Sequence, residues 1–388
     1  MKLIYIANAR IPTEKAHGAQ IFQMCESFAN SKLDVELIIP WRFNHIKQDP
    51  FEYYGVKKNF KITKIFSFDL IPLNFGKFGF LIQAFSFAEF ATYYVLAKSL
   101  FGKIKKTDII YSRDEISASY LSIFKKNVFW ETHTAKKNFI IDLLVQKSKG
   151  IIAITQGLKD FYTEKYKINS DKILVGADAV DLEKFDIKIT KKEARGKLNL
   201  PQDKKIISYI GKYKTMGESK GVEKLIQIFP EILKFNTSAY LLLVGINKDE
   251  IDEVDAIFQT LNIKNSQYKI VPHVLQTTVP FYLKASDVLT MNYPNIEHYA
   301  RYMSPLKLFE YMAGGAPIVS SDLPSIREIL NENNSVLVQP DNPEALANGI
   351  KQVLQNSDLA DRISKQAFLD VQSYTWQKRA EKIIKFIL

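Results

Sequence analysis

Apolar residues recur along this chain in two alternating rhythms. Short runs rich in Ile, Leu, Val and Tyr are separated by longer stretches in which apolar side chains return every three or four positions, the spacing of one helix face. In the first half the runs predict strands at 3–7, 35–40, 62–67, 108–112, 128–131, 151–155 and 173–175, with helices at 17–31, 78–101, 115–125, 136–147 and 156–165. A polar, lysine-rich stretch at 186–205 interrupts the pattern. It restarts with strands at 206–210, 240–244, 269–271, 287–291, 317–320 and 336–339, and helices at 221–235, 248–261, 278–285, 304–312 and 324–331. Tail helices are predicted at 343–355 and 359–387. Such alternation predicts parallel sheets with helices on both faces. The fold class is therefore α/β, with two doubly wound, Rossmann-like domains at 1–185 and 186–370 facing a cleft, and a tail at 371–388. Sheets of this kind take ligands at the carboxyl ends of their strands.

The 388 residues are 46% hydrophobic and 24% charged, which is enough for two ordinary cores. The net charge of +11 is more informative. It suits nucleic acid, an anionic membrane or a phosphorylated substrate. No zinc-finger, RRM, KH or zipper pattern is present, so no nucleic-acid partner is expected. The lone Cys25 excludes a disulfide framework and fits a reducing, cytoplasmic compartment. The first strand begins at once, so no signal peptide is expected. The stretch 78–97 has the length of a membrane span. Gln83 and Glu89 inside it make a buried amphipathic helix the better reading. Across 56–106 lysines interleave with phenylalanines, and Asp69 and Glu89 are the only carboxylates. That mixture suits peripheral contact with the inner face of an anionic membrane.

Candidate chemistry lies in a few segments. No Ser-His-Asp order, nucleophile elbow, HExxH helix, P-loop or GxGxxG turn is present, which disfavours hydrolase, P-loop and dinucleotide readings. Residues 304–322 read SPLKLFEYMAGGAPIVSSD. Ser304 and Pro305 suit the N-cap and first position of a helix that Gly314-Gly315 ends in a left-handed turn. A helix start of this kind is an anion site. Glu310, further along, either accepts from a ribose diol or is a surface glutamate. Gly211-Lys212 follows the strand at 206–210, and Lys220-Gly221-Val222 opens the next helix. Two ammonium groups at such a loop can clamp a diphosphate. In the first half, Gly18 opens a helix after a turn and leaves room for close approach to the backbone. His133, Arg113 and Asp114 stand at carboxyl ends of strands, where a histidine can hydrogen-bond a reacting sugar or hydroxyl.

These segments resemble the retaining GT-B glycosyltransferases of family four (glycosyl transferases group 1). Glu310, Ala313, Gly315, Pro317, Ile318 and Asp322 carry the second half of that family's signature, in a branch that reads S-P-L-K-L-F-E-Y-M-A. The resemblance implies a retaining, metal-independent transfer from a nucleotide-diphosphate sugar to a saccharide or lipid-linked saccharide in cell-surface glycan synthesis. By the same likeness Glu310 holds the donor ribose, and Ser304, Pro305, Leu306 and Lys307 face the donor sugar and diphosphate. Gly211, Lys212 and Lys220 grip the pyrophosphate, and Val274, in a Val271-Pro272-His273-Val274 turn, lies beside the base. His133 joins Lys212 and Lys220 in the chemistry, and Gly18, Arg113 and Asp114 lie on the acceptor side, in the first domain. The cations take the place of a metal, so no metal or other cofactor is expected. Tyr374-Thr375-Trp376-Gln377 resembles the family's ending, in which the last helix crosses back to the first domain. Two departures stand out. Tyr302 occupies the place of the family's first glutamate, with Glu297 nearby as a candidate substitute, and His17 replaces the glycine before Gly18. Two other readings stay open: a sugar-nucleotide epimerase of the same fold, and a nucleotide-sugar-binding subunit without activity.

Overall fold

The computed structural model describes residues 1–73, 75–215 and 218–388. They divide into two compact units, Met1–Asp178 with Trp376–Leu388, and Ala179–Thr375.

The first unit is built on β1 (Lys2–Ile6), β2 (Asp34–Pro40), β3 (Lys61–Ile65), β4 (Ile109–Ser112), β5 (Val128–Thr132), β6 (Gly150–Ala153) and β7 (Ile173–Val175). Among the described residues these form one parallel sheet in the order β3-β2-β1-β4-β5-β6-β7. Helices cover both faces, so central strands are apolar at consecutive positions, as Leu3, Ile4, Tyr5 and Ile6 are, all fully buried. The helix Ala16–Asn30 adds Ile21, Phe22, Met24, Cys25 and Phe28 to the core.

The helix Gly76–Leu100 departs from its expected burial. One face, with Gln83, Ala84, Phe87, Ala88, Ala91 and Val95, is buried, and the Gln83 amide donates to Asn8 Oδ1 at 2.9 Å. The other face leaves Phe78 67% exposed and Phe80 51% exposed, with Leu81 and Phe85 also in the open. By length and composition the helix is apolar enough to cross a membrane.

The second unit holds β8 (Lys205–Ile210), a short antiparallel pair β9 (Lys214–Thr215) and β10 (Glu218–Ser219), then β11 (Ala239–Ile246), β12 (Tyr268–Pro272), β13 (Val288–Met291), β14 (Ile318–Ser321) and β15 (Val336–Val338). Its main sheet is parallel, in the order β12-β11-β8-β13-β14-β15. Ile207, Tyr209, Leu225, Phe229, Leu241, Leu243 and Phe258 lie in its core. In both sheets the first strand is central and the chain order reverses beside it. The carboxyl ends of β1 and β4, and of β8 and β13, are therefore topological switch points, where open sheets leave a crevice.

Several expected helices differ. The one predicted over 221–235 is two, Val222–Gln227 and Phe229–Phe235, because Pro230 cannot donate to the preceding turn. The helix predicted over 136–147 starts only at Phe139, where the Asn138 side chain accepts from Ile141 N. The helix predicted over 324–331 is one turn, Pro324–Arg327. The stretch predicted as one helix over 359–387 is also two, Ser357–Val371 and Trp376–Ile387. Between them Val180 N donates to Tyr374 O at 2.9 Å and Val180 bridges Thr375, which takes that backbone out of helical pairing.

Candidate functional site

In the second unit the site starts where β8 ends. The Tyr311 hydroxyl accepts from Ile210 N at 2.7 Å and donates to Ile210 O at 3.1 Å, so the last peptide of the strand is pinned from the helix Leu306–Gly314. Gly211 follows with φ +151°, and its N–H donates to Val244 O at 2.8 Å. A side chain at Gly211 would run into the Lys307 ammonium, which is 2.9 Å from where its Cβ would stand. A glycine is needed here for conformation and for space.

Lys307 is the second residue of that helix and is 8% exposed. Its ammonium lies 3.8 Å from the Tyr209 ring centroid and 5.2 Å from that of Tyr293, a cation–π arrangement on two sides. It has no hydrogen-bond partner. Burial, and then the charge of Lys220, hold its pKa well below the ordinary lysine value, with Glu310 opposing. Lys220 is half-buried, and burial, followed by the charge of Lys212, lowers its pKa to about 8. Among the described residues no carboxylate lies within ion-pair distance of Lys212, Lys220 or Lys307. The carboxyl end of β8 thus carries three lysines without an ion-pair partner among the described residues, one of them desolvated.

Neighbouring elements fix this group. Gly221, with φ +82°, places Lys220 at the start of the helix Val222–Gln227. A side chain at Gly221 would strike the Asn292 backbone, and the Asn292 amide donates to Gly221 O. The start of this helix and the carboxyl end of β13 are tied together in this way. The Leu306–Gly314 helix has Pro305 at its N-cap, not Ser304, which lies half-buried just before it. Leu306 is its first residue, and Gly315, at φ +73°, closes it. Glu310 accepts from the Gln276 amide at 2.7 Å, and burial raises its pKa to about 7 against the pull of Lys307. Val274 is half-buried in the loop that carries Gln276. Tyr302 is buried, and its hydroxyl donates to Glu297 Oε1 at 2.9 Å. Glu297 is the exposed first residue of the short helix Glu297–Arg301 and is engaged by Tyr302.

The first unit gathers a second polar group under the carboxyl ends of β1, β4 and β5. Glu131 is fully buried. It accepts from Arg379 Nη2 at 2.9 Å, from Gln20 Nε2 at 3.1 Å and from the Tyr111 hydroxyl, and it meets His133 Nε2 at 2.7 Å. Burial works against its charge, but Arg379 first, and then His133 and Arg113, hold the carboxyl well below the usual range. Burial, followed by Arg113, lowers the His133 pKa to about 4, so its imidazole is neutral near pH 7. With Nε2 bonded to the carboxylate as a donor, Nδ1 is left as the acceptor. Arg113 donates to Gln20, which also donates to Asp178 at 2.6 Å.

His133 and Arg113 are therefore together, whereas two other acceptor-side candidates are not part of this group. Asp114 caps the helix Glu115–Phe124 by accepting from Ser117 N at 2.8 Å. The space beside Gly18 is filled by Tyr54 and Thr13, so that glycine serves packing and offers no open backbone. Sequence reasoning missed Glu131 and Arg379, although each carried a signal. Glu131 is a carboxylate inside an apolar strand. Arg379 sits on the apolar stripe formed by Trp376, Ala380, Ile383 and Ile387. Among the described residues no three His, Cys, Asp or Glu side chains converge as a metal site.

Two switch-point crevices in two Rossmann-like units define the GT-B class, and solved structures agree. Sucrose-phosphate synthase from Thermosynechococcus elongatus superposes with a TM-score of 0.76 at 17% identity, covering 99% of this chain and 98% of that one. Anabaena HepE in complex with UDP-glucose gives 0.73 at 13% identity, covering 99% and 98%. Residues 190–370 match the family described as glycosyl transferases group 1. An uncharacterized glycosyltransferase of Methanocaldococcus jannaschii is 26% identical over 247 residues, 62% of this chain and 60% of that one. The D-inositol 3-phosphate glycosyltransferase of Corynebacterium urealyticum is 22% identical over 231 residues, 57% and 52% of the two chains. The match thus spans between half and two thirds of these relatives.

Proposed function

We propose that this chain is a glycosyltransferase that moves a sugar from a nucleotide-diphosphate sugar, with retention and without a metal, to a saccharide or lipid-linked saccharide acceptor in cell-surface glycan synthesis. The observation that carries the reading is Lys307, a buried ammonium without a hydrogen-bond partner, beside Lys220 at a switch point. Such a group is costly unless an anion completes it. The solved complex of Anabaena HepE with UDP-glucose supports a nucleotide sugar as that anion.

In this mechanism the diphosphate lies against Lys212, Lys220, Lys307 and the N–H groups that open the Leu306–Gly314 helix, while Glu310 accepts from the ribose diol. Val274, Gly211 and the residues from Ser304 to Leu306 shape the rest of the donor site. The bond between the anomeric carbon and the phosphate oxygen breaks, and its electron pair leaves with the diphosphate, whose charge the lysines neutralise. The acceptor oxygen attacks the same face and its proton passes to the departing phosphate oxygen. Neutral His133 orients the sugar or the acceptor hydroxyl, with Arg113 beside it. The exposed phenylalanines of the helix Gly76–Leu100 give a peripheral hold on an anionic, cytoplasmic membrane face.

The test is a thermal-shift screen against UDP, GDP, ADP and CMP sugars, followed by product analysis with the sugar that binds. A donor that binds to the folded state raises the melting temperature. Lys220→Ala and Glu310→Ala are expected to abolish transfer while still folding, and wild-type rates from either would remove the assignment. Tyr302, in place of a glutamate, favours one rival: a shift with no turnover would identify a binding subunit.

A further inference from the structure

A cavity in the first unit lies apart from the His133 group. Its volume is about 330 Å³, within the range of roughly 300–1,000 Å³ typical of ligand sites. It opens at the carboxyl ends of β1, β2 and β3, walled by the segments 11–12, 40–44 and 46–50 and by Lys64.

Its lining combines aromatic faces with positive charge. Trp41 is 57% exposed and Phe43 67% exposed. The Lys47 ammonium lies 5.3 Å from the Phe43 ring centroid, which occupies that ring and leaves the indole free. Lys47 and Lys64 have no ion-pair partner among the described residues. Arg42 is in ion-pair contact with Asp69, Nε to Oδ1 at 3.4 Å, and Asp69 also accepts from Phe43 N at 3.2 Å. Asp49, the only carboxylate in the wall, is already committed. It accepts from Phe51 N at 2.9 Å and Glu52 N at 3.2 Å and pairs with Lys58 at 3.5 Å. The wall is therefore net positive; the Asn44 amide is held by Pro12 O at 2.8 Å and Ile46 N at 3.0 Å, which leaves Gln48 as the exposed amide of the lining.

An exposed indole beside cations and an amide is the surface that recognises a sugar ring carrying negative charge. The ring's C–H face lies on the aromatic plane, the Gln48 amide meets a hydroxyl, and the lysines meet the anion. We propose that this cavity binds an anionic saccharide, one bearing carboxylate, sulfate or phosphate, as a subsite of the acceptor. This rests on the transferase reading above, and its test is independent of the donor site.

Tryptophan emission reports on the cavity directly. Of the three tryptophans, Trp130 and Trp376 are 2% and 6% exposed, so a ligand in the cavity is read through Trp41. The protein is titrated, without nucleotide, with tri-galacturonate, its uncharged methyl ester, a sulfated heparin disaccharide and mannose 6-phosphate. At least one charged sugar is expected to give a saturable change and to bind at least tenfold more tightly than its neutral parent. Calorimetry with that sugar is expected to show binding lost in Trp41→Ala, largely restored in Trp41→Phe, and weakened at least tenfold in Lys47→Gln/Lys64→Gln. The donor-induced thermal shift stays unchanged in all of these variants, which separates this site from the donor reading. Equal binding of charged and neutral sugars, full binding by Trp41→Ala, no response to any charged sugar, or a response only to phosphatidylglycerol vesicles would overturn the proposal.

Discussion

Lys307 shows how one side chain divides stability from function. In the free protein its ammonium is buried against two tyrosines with no acceptor. Lys307→Met keeps the stem and removes the amine. We expect it to stabilise the free protein by about 1 kcal/mol, a rise of roughly 2–4 °C for a unit of this size, while the thermal shift by donor nucleotide disappears. A bound diphosphate favours the charged forms of Lys307 and Lys220, whose pKa values are depressed without it. Binding at pH 8.5 should therefore take up protons, seen as a calorimetric enthalpy that changes with buffer ionisation heat. The proposed mechanism needs Glu310 ionised and Lys220 protonated in the free protein, where their pKa values are about 7 and about 8. The profile of kcat/KM should accordingly fall below about 7 and above about 8. The lysines and Glu310 were legible because glycines and a helix start framed them. Tyr209 and Tyr293 were not, since they reach Lys307 from strand ends far apart in sequence.

At the scale of elements, the last helix supplies what the first sheet lacks. Arg379 brings the main counter-charge to Glu131, and its guanidinium also donates to Ala177 O at 2.9 Å and Gly176 O at 3.2 Å. Arg379→Met strands a buried carboxylate, a loss of about 3–5 kcal/mol for a broken buried pair. The sign with pH follows from the lowered Glu131 pKa. Its stabilisation is present above the unfolded value of about 4.3 and is lost as pH falls through the folded one. In Arg379→Met the folded pKa moves up, so the loss in melting temperature should be larger at pH 7 than at pH 4. Strand positions and helix existence were legible from periodicity, but the order of strands in each sheet was not. The break at 372–375 was not, because it depends on pairing with Val180, and the outward phenylalanines of Gly76–Leu100 were not, because apolar spacing alone does not say which face meets the core.

For the whole molecule, the net charge of +11 and the aromatic face of Gly76–Leu100 act in the same direction. Sedimentation with phosphatidylglycerol vesicles should be strong at low salt and weaken as salt screens the lysines. Phe78→Ser/Phe80→Ser should lower it at least tenfold with little change in melting temperature, because both rings are already exposed. Neutral vesicles binding equally well would remove the electrostatic part. The likeness of the two halves was readable as a repeated rhythm, whereas the central place of the first strand in each sheet was not.

The return of residues 376–388 to the first unit also sets an order of assembly on the ribosome. The second unit is a continuous stretch and can close as soon as it emerges. The first is translated earlier yet waits for Arg379, so Glu131 stays without its guanidinium until the helix Trp376–Ile387 has emerged. Deletion of residues 376–388 should therefore damage the unit that is made first.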